Sequence, residues 1–331
     1  MRKIMAGLTL LAAGLFLMAA STAIAAEKLM IYTSMKDSMW SQLQAAFNKK
    51  YPDVAVDTYI AGAGKLMAKI ATERQSGKII ADILWTSEIP DFYALKRDGL
   101  LESYLSPEAK TVQSPVKDPD GCFTPVRLGT LGLAYNTKKV TVPPRGWPDM
   151  MEARFKDGFG IANPALSGTA CVSVAMISGN LGWDYFEKIK KNGAKMGHGS
   201  GQVVDDTASG DLKVSVAVDY ITIDKMKKGA NLGLFFPKEM LVIPSPVAIF
   251  KGSPNLGAAK KMVDFLLTLE GQTIVAANGT LPVRADVKIL EGFGLVQPNE
   301  AVERAMKIDY LKMMQEKEAI IEKFTRIMRA Q

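Results

Sequence analysis

The sequence predicts an α/β protein of two lobes, with two extended segments crossing between them. Short apolar runs alternate with helical periodicity through the first hundred residues, and again after residue 160. Two longer stretches rich in β-formers, residues 123–136 and 232–250, stand apart from that alternation. A chain of 331 residues is also long enough for about two domains, each burying its own core.

Residues 28–33 form a short apolar strand, after which Met39, Leu43, Ala46 and Phe47 recur at helical spacing, opening a βα unit. The pattern repeats with a strand at 54–60, a helix from about 66 to 76, a strand at 80–85 and a helix ending near Gly99. Such alternation predicts parallel sheet with helical crossovers. Residues 123–136 are extended and end before Pro143-Pro144, as suits a strand crossing between domains. Further βα units follow at 160–162, the helix after Ser167, and a strand at 213–219. The stretch 232–250, with prolines at 237, 244 and 246, is the candidate return crossing. Helices are expected at 258–269, 271–277 and, as one amphipathic segment, 300–328.

At the N-terminus, Arg2 and Lys3 precede an uncharged apolar run from Ile4 to about Ala20, then the small residues Ser21-Thr22-Ala23-Ile24-Ala25-Ala26. This is the pattern of a secretory signal peptide cleaved after Ala25. The run falls short of the ~20 apolar residues that span a bilayer, no second one follows, and no Cys follows it to carry a lipid. The mature chain of 306 residues loses Arg2 and Lys3, so its net charge falls from +7 to +5. Its lysines are scattered between apolar helical positions, which argues for solvated faces rather than nucleic-acid binding, while a modest positive potential favours an anionic solute. Cys122 and Cys171 leave two readings open, a disulfide permitted by export or two buried thiols.

Several segments in this order carry a resemblance: "ADILWTSEIPDFYALKRDGLLESY", "LGLAYNTKKV", "PRGWPDMMEARFKDGFGIANPALSGTA", "SGDLKVSVAVDY", "AAKKMVDFLLTLEGQ" and "NGTLPVR". Together, behind a signal peptide, they resemble the type II periplasmic binding proteins of ABC importers, in the branch of ferric-iron, phosphonate and sugar-phosphate binders. The resemblance implies a periplasmic-binding-protein-like type II fold of two α/β lobes, with residues 26–128 plus 244–331 as lobe 1 and 129–243 as lobe 2. It also implies a cleft that closes over its solute, a periplasmic location, a monomer, importer permease subunits as partners and no cofactor.

In open α/β sheets ligands sit beyond the carboxyl ends of the strands. Four loops there are rich in small and hydroxyl residues: Ser34 to Ser38, Ala61 to Gly64 with Gly62, Thr86-Ser87-Glu88, and Ser167-Gly168-Thr169. A helix start supplies unpaired N–H groups and a partial positive charge, and Ser or Thr hydroxyls add donors, so the expected product is an oxyanion site. Four to six such bonds at roughly 1.5–3 kcal/mol each can supply the ~8 kcal/mol of micromolar binding, without an arginine. The plainer reading is that these are N-caps and turn glycines. The loop from Ala61 to Gly64 is not a phosphate-binding loop of the NTPase kind, because it lacks the lysine-serine ending.

Asp205 and Asp206 are candidates for accepting from an ammonium or sugar hydroxyls, or are simply helix N-terminal charge. Tyr220 falls, by the resemblance, where family members present ligand-contacting tyrosines. Ferric binders of the branch usually offer two adjacent tyrosines; here Ile221 follows Tyr220, and the sole histidine, His198, reads as a loop residue. Iron therefore ranks behind an oxyanion-bearing organic solute such as a phosphonate or phosphate ester. A ligand-presenting subunit for a sensor kinase is the further alternative. With no second histidine and no nucleophile elbow, no base activates Ser34, Ser167 or either cysteine, so an enzyme is not expected.

Overall fold

A computed structural model describes residues 27–114 and 118–330; the signal-peptide reading of residues 1–25 lies outside the described residues. The first lobe opens with β1 (Glu27–Thr33), α1 (Asp37–Lys50), β2 (Val54–Ile60), α2 (Ala63–Gln75), β3 (Ile83–Trp85) and α3 (Ile89–Arg97). β1 lies between β2 and β3, parallel to both, as βα units require. The apolar stripe read from the sequence does pack inward, for Met39, Leu43 and Phe47 of α1 are buried, with Trp40 beside them. β3 is shorter than expected, because Ile80 is exposed and its N–H donates to Glu73 rather than to a strand.

The chain then crosses on β4 (Thr124–Asn136), the long strand expected at 123–136. Beyond it come β5 (Phe159–Ala162), α4 (Gly168–Leu181), α5 (Trp183–Lys191), β6 (Lys195–Gly197), α6 (Ser200–Ser209), β7 (Val214–Val218), α7 (Asp219–Lys227) and β8 (Leu232–Phe235). β9 (Leu241–Ile249) returns. The extended stretch at 232–250 is thus two strands rather than one, with Pro237 in the break between them. Pairing of β9 to β3 covers only Val247–Ile249, so Pro244 and Pro246 lie where β4 is the paired neighbour, which suits residues lacking an N–H.

One sheet runs through the molecule in the order β2-β1-β3-β9-β4-β7-β5-β6, with β8 also on β4. β4 meets β9 from Thr124 to Leu131 and β7 from Leu131 to Tyr135, so each end of β4 belongs to a different lobe. The paired strands β4 and β9 are the two that cross between the lobes.

The C-terminal region holds α8 (Leu256–Leu267), α9 (Leu269–Ala277), α10 (Pro298–Glu303) and α11 (Tyr310–Arg329). The single amphipathic helix expected at 300–328 is therefore broken. Arg304 turns aside to donate to the carbonyls of Phe236, Pro237 and Lys238, and Asp309 caps the next helix by accepting from Lys312 N–H. α11 packs on α3 of one lobe and on α4 and α5 of the other. Cys122 and Cys171 are both free thiols, which closes the disulfide reading in favour of the other alternative, with Cys171 fully buried and Cys122 partly so.

Candidate functional site

A cleft of about 560 Å³ lies between the lobes, at the carboxyl ends of the parallel strands. Among the described residues, five helices start on it. Lys36 precedes α1, Gly62 precedes α2, Ser167 precedes α4, Gly199 precedes α6 and Val218 precedes α7, and each of these lines the cavity. Of the five, only Ser167 caps its own helix, its hydroxyl accepting from Ala170 N–H. The N-cap residues of the other four make no side-chain cap bond; in α7, however, the first-turn Tyr220 N–H is taken by Asp219, so the starts of α1, α2 and α6 are the ones whose first-turn N–H groups have no side-chain cap.

Of the residues singled out in the sequence, Ser34, Gly62, Ser87, Ser167, Gly168, Thr169 and Tyr220 line this cavity. Ser38 does not: its carbonyl accepts from Gln42 within α1. Asp205 and Asp206 are also outside the lining. They sit in the second half of α6, not at its start, where Asp205 is paired with Lys225 and Asp206 accepts from Gln202. Neither the ligand reading nor the helix-start reading fits that position.

Sequence reasoning, whose binding arithmetic required no arginine, did not single out Arg127. Arg127 is 1 % exposed, on β4, and lines the cavity. Its Nη1 donates to Thr280 at 2.7 Å and lies 3.5 Å from Asp219, Nη2 donates to Ser87 at 3.3 Å, and the guanidinium stacks over the Tyr220 ring at 4.9 Å. Nε is buried without a partner. Gly129 leaves the room: a Cβ there would stand 2.8 Å from Nη1. Asp219 is saturated, with Oδ2 accepting from Thr130 N–H and hydroxyl and from Thr280, and Oδ1 from Tyr220 N–H. Burial raises the Asp219 pKa, against the pull of Arg127.

On the second lobe, the starts of α4 and α6 bring three hydroxyls together. Ser167 lies 2.7 Å from Ser200 and 3.1 Å from Thr169, and Thr169 lies 2.9 Å from Ser200. Ser200, Gly201 and Gln202 were not singled out, because β6 ahead of them is only three residues and has no apolar signature. His198, in the loop between β6 and α6 as read from the sequence, lines the cavity as well. Across the cleft, Lys36 N–H donates to the Tyr220 hydroxyl at 3.0 Å, and burial pushes the Tyr220 phenol up against the opposing effect of Arg127. The lobes touch closely at one seam, where a Cβ on Gly62 would be 2.3 Å from the Leu166 carbonyl oxygen.

The model of the bacterial extracellular solute-binding proteins matches residues 78–316. The chain belongs to this family. Among its relatives is a periplasmic protein of Salmonella typhimurium strain LT2, provisionally named for 2-aminoethylphosphonate binding, 26% identical over 286 residues that cover 80% of this chain and 83% of that one. Similar solved structures include the periplasmic binding protein AfuA of Actinobacillus pleuropneumoniae with fructose-6-phosphate bound, at 24% identity and TM-score 0.80, covering 92% of this chain and 99% of that one. Iron-bound HitA of Pseudomonas aeruginosa is similar at 21% identity and TM-score 0.75, covering 91% and 99%. These structures share the two-lobed fold of this solute-binding chain.

Proposed function

We propose that this protein captures a small oxyanion-bearing organic solute, a phosphonate or phosphate ester, between its lobes in the periplasm and hands it to the permease of an ABC importer. The observation that carries the reading is the convergence of five helix starts on one cavity, those of α1, α2 and α6 without any side-chain cap. Such starts bind anions through N–H groups and dipole together, and the Arg127 guanidinium, its charge offset by Asp219 behind it, lines the same place. The names of the relatives, which include a phosphonate binder and a sugar-phosphate complex, agree with that chemistry.

Ferric iron is the weaker reading. Among the described residues, no cluster of three His, Cys, Asp or Glu side chains is placed to hold a metal, and the cavity offers only the phenols of Tyr59 and Tyr220, from β2 and α7, and one imidazole. A hard trivalent ion needs several anionic oxygens. The catalytic reading has no more support, since the neighbours of Ser167 are hydroxyls and no carboxylate lines the cavity among the described residues. Capture operates by hinge rotation on β4 and β9, with the lobes divided near residues 128 and 243 and α11 bridging them.

Thermal melting of the mature chain against phosphonates, sugar phosphates, polyamines and ferric citrate tests the reading. A solute at a hundred times its dissociation constant adds about 2.7 kcal/mol. Stabilisation by phosphonates or sugar phosphates is expected; stabilisation by ferric salts alone would reverse the ranking.

A further inference from the structure

The charge around the cavity is one-sided. Lys36, Lys65 and Arg127 line it, and among the described residues no carboxylate does. Asp219, behind Arg127, offsets one of the three cations, and both its oxygens are already engaged, each by a backbone N–H. Lys36 and Lys65 are exposed at the cavity, and neither ammonium group has a carboxylate partner among the described residues. The nearby acids are held elsewhere, Asp205 by Lys225 and Asp206 by Gln202, while Glu88 is paired with Lys317. Asp37, next to Lys36 in the chain, is exposed and outside the lining. Two uncompensated cations therefore face whatever enters. The rest of the polar lining includes neutral groups, the hydroxyls of Ser34, Ser87, Ser167, Thr169 and Ser200 and the Gln202 amide.

We infer that the cleft selects a dianionic phosphoryl solute, a phosphate monoester or an alkylphosphonate, whose body is uncharged and hydroxyl-bearing, and that it discriminates against a body carrying an ammonium group. This rests on the oxyanion reading above. The phosphoryl group meets the helix starts and Arg127, and its second negative charge meets Lys36 and Lys65. An ammonium group on the same solute brings a further positive charge into a cavity whose two free cations the dianion has already balanced, with no carboxylate to receive it, and like charges in a partly desolvated cleft repel far more than in water. A hydroxyl in its place carries no such cost and can bond to the neutral lining.

The test is isothermal titration of the mature chain with 2-hydroxyethylphosphonate and 2-aminoethylphosphonate, which differ only in hydroxyl against ammonium, at a pH where both phosphoryl groups are fully ionised. The hydroxyl compound is expected to bind at least about tenfold tighter. In the double variant Lys36→Gln/Lys65→Gln, both surface positions, the gap is expected to narrow. Equal or tighter binding of the amino compound, or an unchanged gap in the double variant, would overturn the charge selection and leave the oxyanion reading standing. If neither compound binds, nor fructose 6-phosphate, nor inorganic phosphate, the oxyanion reading itself falls and this inference with it.

Discussion

Arg127 with Asp219 at the cleft, and Lys317 with Glu88 and Asp91 where α11 meets the start of α3, are both buried ion clusters, but their charge is met in different ways. In the first, one cation faces one carboxylate, and four hydrogen bonds from Thr130, Thr280 and Tyr220 saturate that carboxylate. In the second, two carboxylates share one ammonium, with Lys317 at 2.7 Å from Glu88 and 2.6 Å from Asp91, and Asp91 Oδ2 has no partner. Burial first, and then the charge of Glu88, push the Asp91 carboxyl up to about 7 against the pull of Lys317. The cleft cluster is fixed and charge-balanced, as a platform for a ligand should be. The cluster under α11 can take up a proton instead.

Removing one cation from each cluster breaks the comparison most sharply. Arg127→Met leaves Asp219 buried without a counter-charge, with an expected loss of about 3–5 kcal/mol in chemical denaturation and no detectable solute binding. Lys317→Met leaves Glu88 and Asp91 without their shared cation, so its loss is expected to grow as pH rises above about 7 and Asp91 gives up its proton. A loss that does not change with pH would show that this cluster takes up no proton.

The double variant Ser167→Ala/Thr169→Ala removes two of the three clustered hydroxyls and keeps the backbone of α4. Calorimetry is expected to show binding weaker by about 2–4 kcal/mol, roughly 30-fold to 1,000-fold, with about 1 kcal/mol lost in stability for the missing cap. Unchanged affinity would move the site off this loop.

Gly62→Ala introduces a methyl against the Leu166 carbonyl, across the seam between the lobes. Closure is expected to cost about 1–3 kcal/mol more, so solute affinity falls and the liganded radius of gyration in small-angle scattering exceeds that of the wild type. Stability of the separated lobes should hardly change.

A further effect is a slope with pH. Asp91 titrates at about 7 when folded and near 3.8 when unfolded, so between those values the folded state binds more protons. The Asp91 contribution is therefore full below about pH 4 and is lost as pH rises through 7. In Asp91→Asn this falling component should disappear, whereas a slope identical to wild type would place the proton elsewhere.

The sequence disclosed much of this architecture, since its βα periodicity gave β2 at its observed limits and β4 to within a residue. It did not disclose breaks set by tertiary contacts. Arg304 bonding to three carbonyls of the β8–β9 connection splits the C-terminal helix, although the amphipathic pattern runs on through it. In the cleft, the rule of strand ends reached Ser34, Gly62, Ser87 and Ser167 because those loops follow recognisable strands. Arg127 escaped it by lying inside a strand, where a lone arginine among β-formers was the only signal. Ser200 and Gln202 escaped because β6 gives no apolar run to mark its end.

The claim that helix-start N–H groups hold the oxyanion is tested most directly by their own resonances. Backbone amide spectra of the mature chain, recorded during titration with 2-hydroxyethylphosphonate, should show Gly62, Gly168, Thr169 and Gly201 moving downfield together and saturating with the calorimetric affinity. Saturable binding with those four amides unmoved would contradict the account.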